Sequence, residues 1–239
     1  MLGCSGSFGH PSGGACSGYL LRQGRTLVWV DCGNGTLANL QRHADPADLS
    51  AVVITHQHPD HCVDLYGLHV LWRYGYDRRD LPVFAPEGVE GTLGALVGGD
   101  FGGAFAFREV ADRDGVDVGD LHLAFSRTDH PPPTMAVEAT GGGKRLIYTS
   151  DTGPRWTAEA FAPGADLVVS EATYQGERGP TDIHLTATEA GEGARAAQAR
   201  RLLVTHVWPF LDPAVSVAEA ETAFGRAVTL AAPHLTIRL

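Results

Sequence analysis

Three histidines and an aspartate within six consecutive positions constrain this chain more than any other feature. They lie in the segment T-H-x-H-x-D-H at residues 55–61, directly after an apolar run with the composition of a buried strand. Neutral imidazole and carboxylate are the ligands that zinc and related divalent ions prefer. A solvated or helix-capping histidine loop is the alternative, and it fits such dense spacing less well. The segment therefore predicts a loop for two metal ions, with His56 and His58 facing one and Asp60 and His61 facing the other.

The composition is that of a globular protein. The chain has 239 residues, of which 44% are hydrophobic and 19% charged, and no linker divides it, so we expect one domain over residues 1–239. No segment approaches the ~20 apolar residues of a membrane helix, and the N-terminus lacks the basic and apolar regions of a signal peptide. The four cysteines have no C-x-x-C spacing and are expected to be reduced. These features predict a cytoplasmic protein without a membrane partner.

The net charge limits the class of substrate. The formal charge at pH 7 is −10, whereas a protein that grips a long polyanion ordinarily carries a basic stripe. One basic cluster, formed by Arg73, Arg78 and Arg79, follows a predicted helix and is interpreted as a solvated face. A pair of metal ions would still supply local positive charge for a small anion. The charge therefore disfavours long nucleic acid as a partner and favours a small anionic substrate.

Strand and helix patterns alternate along the chain. A strand hairpin is predicted at 18–31, and the apolar spacing at 63–74 predicts a helix. Two capping boxes, at 186–189 and 216–219, predict the first turns of two further helices. Because strands precede helices in each half, the pattern predicts an α/β fold of two packed sheets flanked by helices.

Four further polar residues stand where predicted elements begin or end. His130, Asp151 and His206 each follow a predicted strand, and His184 lies just before a predicted helix. Each is a weak signal by itself, because a single histidine is more often structural. Together with the 55–61 loop they complete the ligand inventory that a two-metal hydrolase needs.

The order of these residues resembles the metallo-β-lactamase superfamily over essentially the whole chain. That resemblance implies a four-layer αβ/βα sandwich, two metal ions bridged by Asp151, and a supporting carboxylate at Asp31, which stands in a D-x-G segment. Zinc is the expected metal, with Mn²⁺ or Fe²⁺ as alternatives. By the same resemblance the other ligands divide into two groups: His56, His58 and His130 for one ion, and Asp60, His61 and His206 for the other.

Two motifs distinguish the branches of this superfamily. Zinc β-lactamases usually carry a thiolate or another group in place of the Asp151 carboxylate, so β-lactam hydrolysis is disfavoured, whereas glyoxalase II and lactonases share the carboxylate. The segment Ser170-Glu171-Ala172-Thr173, with the later His184, is similar to the phosphodiesterase branch that includes ribonuclease Z. This similarity implies a Glu171–His184 pair in which the carboxylate fixes the imidazole tautomer and His184 gives a proton to a departing alkoxide. The expected catalytic residues are His184 and Glu171, together with the ligand Asp60.

Two departures separate the chain from ribonuclease Z. Ser170 stands in place of the histidine of the H-E-A-T motif, and the stretch from His130 to Glu171 holds no long Gly-rich arm of the kind that grips tRNA. The segments at 2–7 and 150–153 are closer to those of small bacterial cyclic-nucleotide phosphodiesterases of the same superfamily.

The sequence thus predicts a dinuclear metal-dependent hydrolase of a small phosphodiester, with 3′,5′-cyclic AMP as the leading candidate substrate. Other enzymes stay open as alternatives: a lactonase, a thioesterase, a pathway-specific hydrolase of this fold, or a ribonuclease Z-like RNA phosphodiesterase. A non-enzymatic metal-binding module is disfavoured, because such a module has no need for a complete set of open-site ligands. Assembly as a homodimer is a further expectation.

Overall fold

Two β-sheets form the centre of the molecule. The computed structural model describes residues 1–10, 14–176 and 182–239. The strands of the first sheet are β1 (Tyr19–Gln23), β2 (Thr26–Val30), β3 (Ala51–Val53), β4 (Leu81–Ala85) and β5 (Phe105–Glu109), paired in that order. The second sheet contains β6 (Gly115–Val118), β7 (Leu121–Arg127), β8 (Met135–Gly141), β9 (Lys144–Tyr148), β10 (Leu167–Glu171), β11 (Leu202–Thr205) and β12 (Val228–Leu230). Its spatial order is β12-β11-β10-β9-β8-β7-β6.

The helices lie outside the sheets or in the connections between strands. Their bounds are α1 (Thr36–Leu40), α2 (Pro59–Cys62), α3 (Asp64–Val70), α4 (Val89–Val97), α5 (Ala187–Ala196) and α6 (Pro213–Phe224). Helix α3 continues as a π-helical turn over Leu71–Gly75. None of the helices in the described part of the chain combines the length and apolar character that crossing a lipid bilayer demands.

Three apolar clusters hold four layers together. Between the sheets, Val28 and Val53 of the first sheet pack in one cluster with Leu123 and Val169 of the second. A second cluster joins the outer face of the first sheet to α1, α3 and α4, and a third joins the outer face of the second sheet to α5 and α6. The predicted αβ/βα sandwich is confirmed, because each sheet buries one face against the other sheet and one against helices.

The strand directions bring the carboxyl ends of several strands to one edge of the sandwich. Strands β2 to β5 run parallel to one another, and so do β9 to β12. Strand β7 shares the direction of β9, because both are antiparallel to β8. Residues that follow these strands are therefore delivered to the carboxyl edge of each sheet, which is the usual place for a binding site in such folds.

The start of α6 differs from the sequence-based prediction. The box at 216–219 predicted an N-terminus there, but the helix begins at Pro213 with the Asp212 carboxylate accepting from the Ala214 amide. Ser216 is fully buried inside the helix, and its hydroxyl accepts a hydrogen bond from the Gln175 side chain at 2.8 Å. An Asp-Pro pair is an equally valid start signal, since proline at the first helical position needs no amide donor.

Strands β6 and β12 were also not predicted. Both are short, four and three residues long, and neither has an apolar run of its own. Their extended conformation comes from pairing with β7 and β11, which is a tertiary effect that local pattern does not reveal.

Candidate metal centre

A buried carboxylate at the end of β2 organises the loop that follows β3. Asp31 is inaccessible to solvent and has a φ of 58°, a left-handed conformation that aspartate tolerates better than most residues. Its Oδ1 accepts from the Thr55 amide at 2.8 Å, and its Oδ2 accepts from the Thr55 hydroxyl at 3.0 Å and the Tyr148 hydroxyl at 2.9 Å. The same Oδ2 lies 2.8 Å from Nδ1 of His61. Asp31 therefore fixes both the entry to the loop and one of its imidazoles.

The loop turns directly into α2. His58 precedes the helix and Pro59 occupies its first position, so that Asp60 and His61 fall in the first turn. The turn packs tightly on the segment after β2, where a Cβ at Gly33 would lie 2.0 Å from the Asp60 backbone oxygen. Only glycine fits at that position. The close contact sets the distance between the loop and the sheet end.

One group of ligand atoms comes from three histidines and Asp151. Nδ1 of His58 lies 3.0 Å from Nε2 of His56 and 3.2 Å from Nε2 of His130. Oδ2 of Asp151 lies 3.6 Å from Nε2 of His56 and 4.0 Å from Nε2 of His130. Four ligands bound about 2.0–2.1 Å from a tetrahedral ion are about 3.4 Å apart, so this spacing fits a metal ion.

A second group faces the other oxygen of Asp151. Nε2 of His206 lies 3.2 Å from Oδ2 of Asp60 and 3.4 Å from Nε2 of His61. Oδ1 of Asp151 lies 3.3 Å from Nε2 of His61 and 3.5 Å from Nε2 of His206. Asp151 thus presents one carboxylate oxygen to each group, and each group of described residues has the ligand atoms to hold a metal ion.

The chemistry of Asp151 supports this fit. The residue is 2% exposed, and its Oδ1 makes no hydrogen bond with any described residue. A buried carboxylate oxygen without a donor is costly unless a cation or a proton faces it. Here the nearest atoms are ring nitrogens and another carboxylate, a donor set that matches a divalent transition metal.

Contacts on the far side of each ring hold the imidazoles in a ligating orientation. Nδ1 of His56 lies 3.1 Å from the Thr55 hydroxyl, and Nδ1 of His130 donates to the Ile183 carbonyl at 2.8 Å. Nδ1 of His206 lies 2.9 Å from the Thr173 hydroxyl. Together with the Asp31–His61 contact, these bonds leave Nε2 of four rings facing the centre, whereas His58 uses Nδ1. Such partners fix both the tautomer and the angle of a metal-binding imidazole.

Electrostatic interactions keep the groups in ionic forms that suit cation binding. Burial, helped by His61, lowers the pKa of His56 well below its usual value, so its ring is neutral. Burial would raise the pKa of Asp151, but His206 and His61 hold it well below the usual range. Burial opposes protonation of His61 and His206 as well, yet the Asp151 and Asp60 carboxylates raise the pKa of both. His61 and His206 therefore bind protons in the absence of metal, and a metal ion bound to the second group would displace those protons.

A third pair lies beside the shared carboxylate. Nδ1 of His184 is 3.1 Å from Oε1 of Glu171 and 4.0 Å from Oδ2 of Asp151. Glu171 is 1% exposed and also accepts from the Thr152 amide and the Thr173 hydroxyl, at 2.6 and 2.7 Å. The structure therefore brings together every residue that the sequence analysis named for the site, including the predicted Glu171–His184 pair.

Thr173 was missed by the sequence analysis, although it is the last residue of the S-E-A-T segment. Its hydroxyl donates to Glu171 and faces Nδ1 of His206, so one carboxylate orients His184 directly and His206 through a hydroxyl. Ser170, by contrast, does not contribute to the centre. Because alternate residues of a strand point to opposite faces, Ser170 lines a cavity of about 260 Å³ under α5 and does not face the metal groups. The serine that stands in place of the motif's histidine therefore lies outside the groups of ligand atoms.

Other histidines lie outside these groups. His43 and His234 face each other on the surface, with Nε2 and Nδ1 2.9 Å apart, and His122 pairs with the exposed Asp117.

All four cysteines are free thiols. Cys62 is buried behind the loop, next to His61.

Comparison with known proteins gives one family over most of the chain. The model of the beta-lactamase superfamily domain matches residues 26–207. Uncharacterized protein Rv1339 of Mycobacterium tuberculosis is 38% identical, with 94% of this chain and 85% of that protein covered. Ribonuclease Z of Natronomonas pharaonis is 27% identical, with coverage of 94% and 92%. The crystal structure of the metallo-beta-lactamase fold protein YhfI from Bacillus subtilis superposes with a TM-score of 0.88 at 28% identity, covering 98% of this chain and 95% of that one.

Because Asp151 faces both groups of ligand atoms, its removal is predicted to lower the metal content of the protein. We expect the purified protein to carry close to two equivalents of transition metal and Asp151→Ala to lose metal from both groups, because each loses a ligand. Elemental analysis of dialysed samples measures this. Asp117→Ala, which removes a carboxylate paired with a surface histidine, is the matched control. Full metal content in Asp151→Ala would contradict the assignment.

The hydroxyl of Thr173 generates a second prediction. Thr173→Val keeps the shape but releases the His206 ring, so affinity for one of the two metal equivalents should fall about 10- to 100-fold, the usual effect of losing such a partner. Thr173→Ser should restore it. Titration of the metal-free protein against a chelator measures both affinities, and Thr140→Val, at a half-buried position near the end of β8, serves as the control. Equal weakening by the valine and serine variants would show that packing, not the hydroxyl, matters.

Proposed function

The chain belongs to the beta-lactamase superfamily of metallo-hydrolases, and on this premise we propose that it hydrolyses a small phosphodiester, with 3′,5′-cyclic AMP as the leading candidate. The observation that carries the proposal is the Glu171–His184 pair next to the shared Asp151 carboxylate. Hydrolysis of a diester with an alkoxide leaving group needs a proton donor beside the reacting phosphorus, and His184, whose Nδ1 lies 4.0 Å from the Asp151 carboxylate, is close enough to the centre to serve as that donor.

We propose that two divalent ions occupy the centre, zinc in the first place and Mn²⁺ or Fe²⁺ as alternatives. Bound there, they would activate water and neutralise charge that develops on the phosphoryl oxygens. The proposed ligands of one ion are His56, His58 and His130, and those of the other are Asp60, His61 and His206, with Asp151 shared.

The protein's own contribution to the chemistry is the state of His184. Burial would lower the pKa of this imidazole, but the Glu171 and Asp151 carboxylates raise it to about 9. In the metal-free protein the ring is therefore protonated near neutral pH. Glu171 engages Nδ1, which leaves Nε2 to deliver a proton to the departing oxygen. Glu171 itself is held by three other donors, so it orients the ring without moving.

The second candidate is cleavage of RNA. It is favoured by the likeness to a ribonuclease Z along most of both chains. The position of Ser170 under α5, away from the centre, removes one argument against this function. Two observations favour the small substrate instead. The net charge is −10, and between His130 and Glu171 the described chain consists of β8, β9, β10 and a short 3₁₀ turn, without an arm that could grip tRNA.

A cytoplasmic location is part of the proposal, and the four free thiols support it. Assembly as a homodimer stays a prediction.

Removal of the imidazole tests the role of His184. His184→Ala should retain both metals and lose about 10²- to 10⁴-fold in turnover of a diester with an alkoxide leaving group. The loss should shrink for bis-p-nitrophenyl phosphate, because p-nitrophenolate departs without protonation. His122→Ala, which removes the ring of a surface Asp–His pair, is the control. An equal loss on both substrates would assign His184 to positioning and not to proton donation.

Substrate size distinguishes the two candidate functions. We expect turnover of cyclic AMP, little trimming of a 3′-extended tRNA, and a shallow salt dependence of binding, because few Lys or Arg contacts would release counterions. Both substrates are assayed side by side at two salt concentrations, together with a lactone and a thioester. Efficient tRNA trimming with a steep salt slope would overturn the proposal, and activity on the lactone or thioester alone would identify one of the other hydrolases.

A further inference from the structure

Three aromatic side chains form a cluster at the rim of the metal centre. The ring of Phe8 lies 5.4 Å from that of Trp208, edge to face at 89°, and 5.4 Å from that of Phe210, while Trp208 and Phe210 are 6.4 Å apart. We call Phe8, Trp208 and Phe210 the aromatic cluster. Its members come from the two ends of the chain, so their association is a product of the fold.

The backbone joins this cluster directly to a residue of the centre. The amide nitrogen of Ser7 lies 3.4 Å from Nε2 of His206, the atom that faces Asp60 and Asp151. Phe8 is the next residue after Ser7, and neighbouring Cα atoms are about 3.8 Å apart, so its backbone lies close to His206. Trp208 follows His206 by two residues, and its amide donates to the Thr173 carbonyl at 3.3 Å.

The two segments that carry the cluster are held rigidly together. Ser5 pairs with Val207 in a parallel bridge, and a Cβ at Gly6 would lie 2.6 Å from the His206 carbonyl oxygen. The Ser5 hydroxyl donates to the carbonyl of Phe8 at 2.7 Å and closes the turn. The backbone that carries Phe8 and Trp208 is therefore fixed before any substrate arrives.

The exposure of Phe210 does not fit a packing role. Its side chain is 81% exposed, so it leaves most of a large apolar ring in water at the edge of a polar site. By contrast, Trp29, Trp72 and Trp156 are all buried in the apolar clusters. An exposed aromatic group next to a site for a phosphodiester is the arrangement that proteins use to stack a nucleobase.

We propose that the aromatic cluster is the base-binding part of the substrate site, with the exposed face of Phe210 as the stacking platform. This inference rests on the proposed phosphodiesterase function and specifies it: the preferred diester carries a nucleobase. The rings offer a π-face and no hydrogen-bonding edge apart from the Trp208 indole N–H, so the platform is expected to accept different bases with little discrimination.

Binding tests the platform without turnover. Quenching of intrinsic fluorescence reports mainly on Trp208, since the other three tryptophans are buried, and Trp208→Phe verifies the source of the signal. The metal-loaded protein should bind 5′-AMP about 5- to 100-fold more tightly than ribose 5-phosphate, the range expected for one stacked base. Phe210→Ala should narrow that gap, and Phe210→Tyr should preserve it, because tyrosine keeps the ring.

Turnover tests the same point with matched substrates. Thymidine 5′-p-nitrophenyl phosphate and methyl p-nitrophenyl phosphate share a leaving group and differ in the nucleoside. The ratio of their kcat/KM values should fall in Phe210→Ala and in Phe8→Ala. Tyr74→Ala is the control, because it removes a ring that is 71% exposed on the π-helical turn, about 15 Å beyond the start of α3.

The outcomes separate this inference from the proposed function. Hydrolysis of both diesters with the same ratio in wild type and Phe210→Ala, or equal affinity for 5′-AMP and ribose 5-phosphate, would overturn the platform and leave the phosphodiesterase intact. Preference for 5′-AMP that Phe210→Ala abolishes, without hydrolysis of either diester, would support the platform and overturn the function. If Phe210→Ala changes the oligomeric state while the ratio of the two kcat/KM values stays the same, the cluster forms a protein contact. That result would also overturn the platform.

Discussion

The buried charge of Asp151 is the constraint on which the rest of the centre depends. A carboxylate removed from water costs several kcal/mol unless other charges compensate for it, and this one stands between two groups of nitrogen and oxygen atoms with one of its oxygens without a hydrogen bond to any described residue. Bound cations would satisfy this requirement, whereas protonated histidines satisfy it in part.

Support for the ligands comes from two further buried carboxylates, one on each sheet. Asp31, at the end of β2, holds Thr55 and His61. Glu171, at the end of β10, holds His184 directly and His206 through Thr173. Each sheet therefore positions a part of the centre, and the packing of one sheet on the other sets their separation. A mutation between the sheets is expected to act on the site through this separation, even far from any ligand.

The connection after β11 links the metal centre to the proposed base platform. His206 has a φ of 55°, an uncommon value for a non-glycine residue, and two residues later the chain contributes Trp208 to the aromatic cluster. A substrate bound across this connection would place its phosphate near His206 and its base near Phe210. Because both contacts belong to one short segment, phosphate binding and base binding would be coupled through the same backbone.

The sequence by itself determined the metal loop, the fold class and the strand-end positions of the other site residues. It did so because ligand spacing, apolar runs and turn residues are local properties, and the resemblance to the superfamily supplied their grouping. Only the tertiary structure decided that Ser170 faces away from the centre, that Thr173 joins Glu171 to His206, and that Phe8 meets Phe210. These relations connect residues that are distant in the chain or depend on which face of a strand is buried, and no local pattern encodes the packing of two sheets that brings them together.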